Sequence, residues 1–298
     1  MMYIVILMNH LARRLLPVIV AAGFFCACRS TAPPDCPQIA ADVAMQDVTF
    51  YSPSLARQMP YRVFLPANRM PAAKLPVVYL LHGGGSDYRS WSDNSGVSQY
   101  ALRGLILVMP EGGDSYFMNE VERPSERYED YITKDLVADV EGRFPARKDR
   151  AGRAIVGISM GGFAAVKYAF SHPDTYAFVG ALSPSIDVPF RHYSFRRIGQ
   201  WWKFRNIFGP VDSEERAARD PSTLIRTANA QSVPFIYLTA GRQEPLLGPN
   251  RQFAALLKRY GVAFEFHTAP GWHDWSQWNA QIPGCFARLF QQLGMIVD

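Results

Sequence analysis

Apolar and polar positions follow two rhythms along this chain, and each rhythm predicts a type of element. Short apolar runs rich in β-branched residues are typical of strands, whereas apolar residues three to four apart are typical of amphipathic helices. The runs that fit strands are 43–50, 61–66, 75–81, 105–109, 154–156, 178–183, 233–239 and 263–267. The stretches that fit helices are 131–144, 163–170, 249–260 and 274–293.

The order of these elements predicts the fold. Strands that alternate with helices favour a mainly parallel sheet with helices on both faces. The run 75–81 is almost wholly apolar, as expected of a central strand, whereas 61–66 alternates like a half-buried antiparallel strand. We therefore predict an α/β fold, with a doubly wound, mainly parallel sheet that begins with an antiparallel hairpin. An irregular insert at about 184–220 precedes the strand 233–239.

The stretch Arg153–Phe163 reads RAIVGISMGGF and combines a strand, the pattern G-x-S-x-G and the start of a helix. This is the context of the nucleophile elbow of α/β hydrolases. The tight turn holds Ser159 in strained backbone geometry, and side chains at Gly157 or Gly161 would crowd the strand or the helix. A plain glycine-rich turn is the alternative. The flanking elements favour the elbow, so we predict Ser159 as the nucleophile.

A serine hydroxyl becomes a good nucleophile when a histidine, oriented by a carboxylate, removes its proton. In this fold the acid and then the histidine follow the serine, each after its own strand. His273 follows the last predicted strand, and we expect it to be the base. Glu244 follows the strand 233–239 and is the predicted acid, with Asp187 as the runner-up. Asp274 is too close in sequence to His273 to orient that ring.

The oxyanion that forms during acyl transfer requires preorganised backbone N–H donors. The residue after the nucleophile supplies one of them in this fold, which predicts Met160. The second should come from the sequence HGGG at 82–85, because this stretch follows an early central strand, and a plain glycine turn is the alternative.

Composition narrows the class of protein. The chain has 298 residues, of which 48% are hydrophobic and 19% charged, as in a globular domain. A net charge of +5 without any basic run does not predict binding to nucleic acid. We expect no metal or organic cofactor, and the spacing of the cysteines suggests no metal site. Cys36 and Cys285 either pair as a disulfide or stay free.

The N-terminus resembles a targeting segment. Arg13 and Arg14 precede a short apolar stretch, so we predict an export signal over residues 1–28. Cys28 resembles the lipidated cysteine of a bacterial lipoprotein, and ordinary cleavage nearby is the alternative. A linker at 29–42 and an α/β-hydrolase domain at 43–298 are expected to follow. The expected location is the periplasm, a membrane to which the lipoprotein is anchored, or the medium after secretion. The oligomeric state is left open.

Several stretches together resemble the esterase D-like branch of the α/β hydrolases. This branch includes S-formylglutathione hydrolases, feruloyl and acetylxylan esterases, and mycolyltransferases. The matching stretches are LPVVYLLHG at 75–83, GISMGG at 157–162, EPLLGPNRQF at 244–253 and PGWHDW at 270–275. They span nearly all of residues 45–292.

The resemblance implies that Ser159, Glu244 and His273 take the places of the triad, with Gly84 and Met160 as oxyanion donors. Two positions differ from the family pattern. The acid is usually Asp, so Glu244 implies a longer arm or a shifted loop. A larger residue often stands at the place of Gly84, so its absence implies a more open site.

The sequence is consistent with three functions. We favour an exported serine esterase that acts on acylated carbohydrate or small acyl esters. An acyltransferase of the mycolyltransferase type would use the same triad, and a non-catalytic binding protein would use the same fold. Trp201, Trp202 and Trp272 are candidate substrate contacts. The alternative for the insert is that its aromatic residues, including Phe204 and Phe208, form a small core of their own.

Overall fold

A computed structural model describes residues 34–68, 74–191 and 198–295 of the chain. The described residues from Asp35 onwards belong to one compact unit. The predicted export signal at 1–28, with Cys28, and the first residues of the predicted linker lie outside the described residues. In the described ranges, no helix is both long and apolar enough to cross a membrane.

This unit is built on one eight-stranded sheet, as far as the described residues show. Its strands are β1 (Val43–Ser52), β2 (Arg57–Pro66), β3 (Val77–Leu81), β4 (Ile106–Pro110), β5 (Arg153–Ile158), β6 (Phe178–Leu182), β7 (Phe235–Gly241) and β8 (Phe264–Ala269). The order is β1-β2-β4-β3-β5-β6-β7-β8. β2 is antiparallel to β1 and β4, and all other neighbours are parallel. The predicted fold class, a mainly parallel sheet with an antiparallel hairpin at its start, is confirmed.

Helices connect the strands. They are α1 (Ser90–Asn94), α2 (Tyr128–Asp130), α3 (Val137–Arg143), α4 (Met160–Ser171), α5 (Ile198–Phe208), α6 (Glu214–Ala217), α7 (Pro221–Leu224), α8 (Leu247–Arg259) and α9 (Trp275–Gln292). A π-helical segment, Tyr131–Leu136, joins α2 to α3. Short 3₁₀ helices cover Val97–Arg103, Arg150–Gly152 and Val188–Phe190. Every predicted helix is present. The insert adds α5 and α6, and α7 follows directly after it; none of these three was predicted.

The sheet has a hydrophobic core on each face. Successive side chains of a strand point to opposite faces, so Tyr79 and Leu80 of β3 enter different cores. Tyr79 belongs to the core that includes Phe163 of α4. Leu80 belongs to the core that includes Phe286 of α9. Burial on both faces explains why this strand is apolar throughout.

The insert is attached to the first of these cores. Phe204 and Phe208 of α5 are buried. The ring centroid of Phe204 lies 5.3 Å from that of Tyr116, and the ring centroid of Phe208 lies 5.6 Å from that of Phe163. These two phenylalanines therefore serve packing, and the core they join is that of the whole domain.

The second half of the predicted linker lies on the domain. Arg62 of β2 is fully buried, and its guanidinium donates to Asp47 at 2.7 Å and to Asp35 at 2.7 Å. The hydrogen bond from Arg62 is the main cause that lowers the pKa of Asp35. A buried cation needs carboxylate partners. For this reason, the chain is held from Asp35 onwards, although we expected a linker over 29–42.

The two cysteines of the domain are both free. Cys36 is exposed and Cys285 is buried in α9. Burial raises the pKa of the Cys285 thiol. A Cβ on Gly180 of β6 would lie 2.7 Å from Cys285 Sγ, so this thiol fills a tight space between sheet and helix. The disulfide that we left open as an alternative is not formed.

Candidate active site

Ser159 lies at the sharp turn between β5 and α4. Its backbone has φ +52° and ψ −109°, in the strained region that an elbow requires. A Cβ on Gly157 would lie 2.2 Å from the carbonyl carbon of Gly161. A Cβ on Gly161 would lie 2.5 Å from the carbonyl oxygen of Leu81. Both glycines are therefore required by close contacts between backbones, as the sequence pattern predicts.

A chain of hydrogen bonds leads from Ser159 to a buried carboxylate. Ser159 Oγ lies 2.8 Å from His273 Nε2, and His273 Nδ1 lies 2.9 Å from Glu244 Oε2. With the proton on Nδ1, the ring donates to Glu244 and accepts from Ser159. The Glu244 side chain is fully buried. The structure thus brings together the three residues that we expected to form the triad, in the order that base catalysis needs.

Close packing of two loops fixes the acid and the base. Glu244 Oε1 accepts the N–H of Gly241 at 2.9 Å, which folds the side chain back on its own loop. A Cβ on Gly241 would lie 2.5 Å from the carbonyl oxygen of Gly271, two residues before His273. The His273 ring packs edge-on against Trp278, with centroids 5.1 Å apart. The longer arm of Glu, compared with Asp, is accommodated by this folded-back loop.

The two residues predicted as oxyanion donors belong to the elbow and to the turn beside it. Met160 is the first residue of α4, so its N–H has no acceptor within the helix. The turn at 82–85 lies beside the nucleophile, because a Cβ on Gly83 would lie 3.7 Å from Ser159 Cβ. Gly84 follows and is exposed. The N–H of Gly161 donates to the carbonyl of His82 at 3.1 Å and ties this turn to the elbow.

His82 supports the same turn from inside the protein. The ring is buried, and burial lowers the pKa of His82. Nε2 accepts the N–H of Gly112 at 3.0 Å, and Nδ1 lies 2.8 Å from the carbonyl oxygen of Gly83. A neutral ring with its proton on Nδ1 satisfies both contacts. His82 is therefore a neutral structural residue that joins the turn to the loop after β4.

A cavity of about 500 Å³ opens beside the nucleophile. Its lining consists of Tyr116, Ser159, Ser185, Asp187, Arg191, Pro245, Leu246 and His273. Ser185 Oγ lies 3.4 Å from Ser159 Oγ. Asp187, our runner-up for the acid, accepts from Arg191 Nε at 2.9 Å and is not the partner of His273. Asp274 caps α9 by accepting the N–H of Gln277 at 3.1 Å.

The predicted tryptophan contacts are not part of this lining. Trp201, Trp202 and Trp272 are 38%, 53% and 64% exposed, and none of them lines the cavity at Ser159 within the described residues. Trp201 and Trp202 pack edge-on against each other, with centroids 4.8 Å apart. Both indoles are exposed, whereas Phe204 and Phe208 of the same helix are buried.

Sequence reasoning missed three of the side chains that line the cavity, Ser185, Arg191 and Tyr116. Ser185 follows β6 in the sequence Ser183-Pro184-Ser185, and its position at the carboxyl end of a central strand was a usable signal. Arg191 lies in the insert and carries no local signal. Tyr116 has φ +56°, a conformation that a tyrosine rarely adopts and that its sequence context does not reveal.

The fold and the site together define an α/β hydrolase. A family model described as "Putative esterase" matches residues 52–289, and the chain belongs to this esterase family. The acetyl esterase of Caldicellulosiruptor saccharolyticus is 24% identical over 261 residues, which cover 82% of this chain and 97% of that protein. The diacylglycerol acyltransferase/mycolyltransferase Ag85A of Mycobacterium leprae is 26% identical over 258 residues, or 74% of this chain and 77% of that protein.

Solved structures agree with this assignment. FphF, a fluorophosphonate-binding serine hydrolase of Staphylococcus aureus, has a TM-score of 0.73 at 25% identity and covers 84% of this chain and 98% of its own. A ferulic acid esterase has a TM-score of 0.72 at 23% identity, with coverage of 84% and 98%. The expected resemblance is thereby confirmed, and membership in the family supports a carboxylic-ester hydrolase.

Proposed function

We propose that this protein is a serine esterase in which Ser159, His273 and Glu244 form the catalytic triad. The observation that carries the proposal is the unbroken hydrogen-bonded chain from Ser159 Oγ through His273 to the buried Glu244 carboxylate. Its serine stands on a strained elbow at the edge of a cavity. This arrangement supplies a nucleophile, a base and a group that orients the base.

In the first half of the reaction, Ser159 Oγ attacks the carbonyl carbon of the ester while its proton moves to His273 Nε2. Glu244 stabilises the imidazolium that forms, since its carboxylate already accepts from Nδ1. The negative oxygen accepts from the N–H groups of Met160 and Gly84. The bond to the alcohol then breaks, and His273 returns the proton to the departing alcohol oxygen, which leaves the acyl group on Ser159.

In the second half, a water molecule takes the place of the alcohol. His273 removes a proton from the water as its oxygen attacks the acyl carbon, and the same two N–H groups stabilise the new oxyanion. The bond to Ser159 Oγ breaks, and this oxygen recovers the proton from His273. The carboxylic acid leaves, and the enzyme returns to its starting state.

We propose acylated carbohydrates or small acyl esters as substrates. The Asp187–Arg191 ion pair and the Ser185 hydroxyl line the cavity beside the nucleophile, and such groups exchange hydrogen bonds with sugar hydroxyls. A second cavity of about 460 Å³ shares Asp187 and Arg191 with the first. The space therefore extends beyond a small acyl group. Relatives named acetyl esterase and ferulic acid esterase support this substrate class.

Acyl transfer to a sugar is the alternative that a specific observation favours. The chain is 26% identical over 258 residues to a protein named diacylglycerol acyltransferase/mycolyltransferase. The first half of the reaction would be the same, and an acceptor hydroxyl would replace water in the second. A product analysis with and without a sugar acceptor separates the two activities.

We also propose that the enzyme is exported and reaches the periplasm, the membrane or the medium. The support is the sequence of residues 1–28, with its arginines before a short apolar stretch and the lipobox-like Cys28. Labelling with a fatty-acid probe in a bacterial host tests lipidation. Incorporation that Cys28→Ser abolishes supports the anchor. Incorporation that survives this substitution contradicts it.

The first experiment measures hydrolysis of p-nitrophenyl acetate and butyrate, together with labelling by a fluorophosphonate and peptide mapping. We expect turnover, a label on Ser159, and loss of both in Ser159→Ala. Ser185→Ala is the matched control, because its hydroxyl lies only 3.4 Å from that of Ser159. A label on Ser185, or full activity of Ser159→Ala, would contradict the triad. Absence of both label and turnover would favour a non-catalytic binding protein.

A comparison of two variants tests the substrate class. Asp187→Asn and Arg191→Gln should lower kcat/KM for acetylated glucose by about tenfold, because each removes one of the charged partners offered to the sugar hydroxyls. The value for p-nitrophenyl acetate should change by less than about twofold. Equal losses on both substrates would indicate that the pair serves the structure of the cavity and does not select sugars.

A further inference from the structure

In the turn that carries the second oxyanion donor, His82 holds the carbonyl of Gly83, whereas the residues that follow have no side chain of their own. Gly84 and Gly85 are its two central residues, and the N–H of Ser86 closes it on the carbonyl of Gly83 at 3.3 Å. Gly85 has φ +72°. Glycines at both central positions of a turn accept either orientation of the peptide between them. Something outside the turn must therefore select one orientation.

Asp114, in the loop after β4, contacts the outer side of this turn. Its Oδ1 accepts the N–H of Gly85 at 2.8 Å. A Cβ on Gly84 would lie 3.5 Å from the same oxygen. In the opposite orientation, the carbonyl of Gly84 would point towards the carboxylate, where two acceptors repel each other. The carboxylate thus favours the orientation that the structure shows.

The other oxygen of Asp114 connects the turn to the insert. Oδ2 lies 3.1 Å from Nζ of Lys203 on α5. The Lys203 ammonium also lies 5.7 Å from the ring centroid of Tyr116, which lines the catalytic cavity. Partial burial alone would raise the pKa of Asp114, but the hydrogen bonds from Gly85 and Lys203 lower it, so the group is ionised at neutral pH. One helix of the insert thereby reaches the oxyanion turn through a single side chain.

We propose that Asp114 is a positioning residue that fixes the Gly84–Gly85 peptide, and with it the place of the turn whose Gly84 N–H serves the developing oxyanion, and that it ties this turn to the insert helix. The inference rests on the proposed esterase function. Asp114 touches no reacting atom in this scheme and acts through Gly85. A donor that is misdirected, and not removed, lowers the rate of the chemical step while leaving ground-state binding of the ester almost unchanged.

The test compares Asp114→Ala, Asp114→Asn and Lys203→Met with wild type in hydrolysis of p-nitrophenyl acetate. Arg205→Met is the matched control. Arg205 stands on the same helix and pairs with Glu122 at 3.3 Å, away from the oxyanion turn. Thermal unfolding and the final extent of fluorophosphonate labelling establish that each variant is folded and has a competent Ser159.

We expect Asp114→Ala to lower kcat by about 10- to 100-fold with KM within about twofold, since small misplacements cost up to about 10²-fold. Asp114→Asn keeps an acceptor oxygen for Gly85 and should lose only about threefold. Lys203→Met should lose about twofold, because the ion pair is partly exposed and contributes little. Arg205→Met should match wild type.

Three results would overturn the inference. Asp114→Ala could be folded and have the kcat of wild type. Its loss could appear in KM alone. Arg205→Met could lose as much as Asp114→Ala, which would indicate a general effect of the insert. Wild type without turnover or label would be a different result, because it would overturn the proposed function itself.

Discussion

In the part of the chain that the structure describes, two clusters combine a serine, a histidine and a buried glutamate, and the first of them has the geometry of a triad. In the first, His273 stands between Ser159 and Glu244. The second lies at the end of α4, where His172 Nε2 is 2.7 Å from Glu129 Oε1. The residue types are the same, and both carboxylates are buried.

The order of contacts separates the two clusters. In the second, Glu129 is the hub, and the same carboxylate oxygen contacts His172, Ser171 and the buried ammonium of Lys167. The Ser171 hydroxyl also donates to the carbonyl of Lys167 at 3.2 Å, a local helix contact. The histidine never reaches the serine, so this serine has no base. Composition and proximity therefore do not make a triad, whereas the sequence of contacts does.

The largest expected difference between the clusters lies in their serines. Ser159→Ala should lower kcat for p-nitrophenyl acetate by about 10⁴-fold or more, because the nucleophile is lost. Ser171→Ala should leave kcat within about twofold. Steady-state hydrolysis of both purified variants checks this. A large loss in Ser171→Ala without loss of folded protein would mean that the second cluster takes part in catalysis.

The two glutamates should separate activity from stability. Glu244→Gln leaves the His273 ring without its carboxylate and should lower kcat by about 10³-fold. Glu129→Gln should keep kcat within about threefold and lower the free energy of unfolding. Kinetics and urea unfolding of both variants provide the measurement. Comparable losses of kcat in Glu244→Gln and Glu129→Gln would mean that the two clusters do not differ in their role in catalysis.

We expect the second cluster to affect how the free energy of unfolding changes at acidic pH. Burial alone would raise the pKa of Glu129, but His172 and Lys167 lower it from 4.5 to about 2. A carboxyl with a lowered pKa stabilises the fold fully above its ordinary pKa and loses this effect as pH falls towards the folded value. Wild type should lose about 3 kcal/mol from this group between pH 4.5 and 2.

Urea unfolding across that pH range, for wild type and Glu129→Gln, isolates the contribution, because all other carboxyls are common to both proteins. The difference between their free energies of unfolding should shrink as the pH falls. A difference that stays constant from pH 4.5 to 2 would contradict the assigned pKa.

The smallest effect is expected for His172→Gln. This change removes one partner of Glu129 and leaves Lys167 in place, so it should cost about 1 kcal/mol of stability. Hydrolysis should be unchanged, whereas His273→Gln should abolish it. Thermal unfolding and kinetics on the two variants form the check. Loss of turnover in a well-folded His172→Gln protein would mean that His172, like His273, is needed for catalysis.

Much of the site could be predicted because the geometry of the sheet determines where the functional residues meet. Ser159, Glu244 and His273 each follow a strand of one parallel sheet, and the carboxyl ends of neighbouring parallel strands meet at one edge. Local patterns indicate the strands, and the chemistry of the residues after them indicates the roles. The fold class follows from the same alternation of elements.

The remaining features depend on contacts between distant segments. The sequence around Asp35 is polar and rich in proline, so it resembled a linker. Nothing in it indicated that Asp35 would pair with Arg62. In the insert, the helix α5 was not predicted, so its phase was unknown. The rotation of a helix about its axis decides which of its residues face the core. In α5, Phe204 enters the core and Trp202 faces solvent. Asp114 acts across a turn that no local pattern connects to it.

The anchored insert has a kinetic consequence. Lifting α5 away from the site would return Phe204 and Phe208 to water, at about 1.5–3 kcal/mol for each ring. The resting enzyme therefore keeps its insert in place. We expect the reaction rate to follow a simple saturation curve with soluble esters and to show no sudden increase when the ester begins to form micelles. The enzyme should therefore behave as an esterase whose active site is already open before the protein binds to a lipid–water interface.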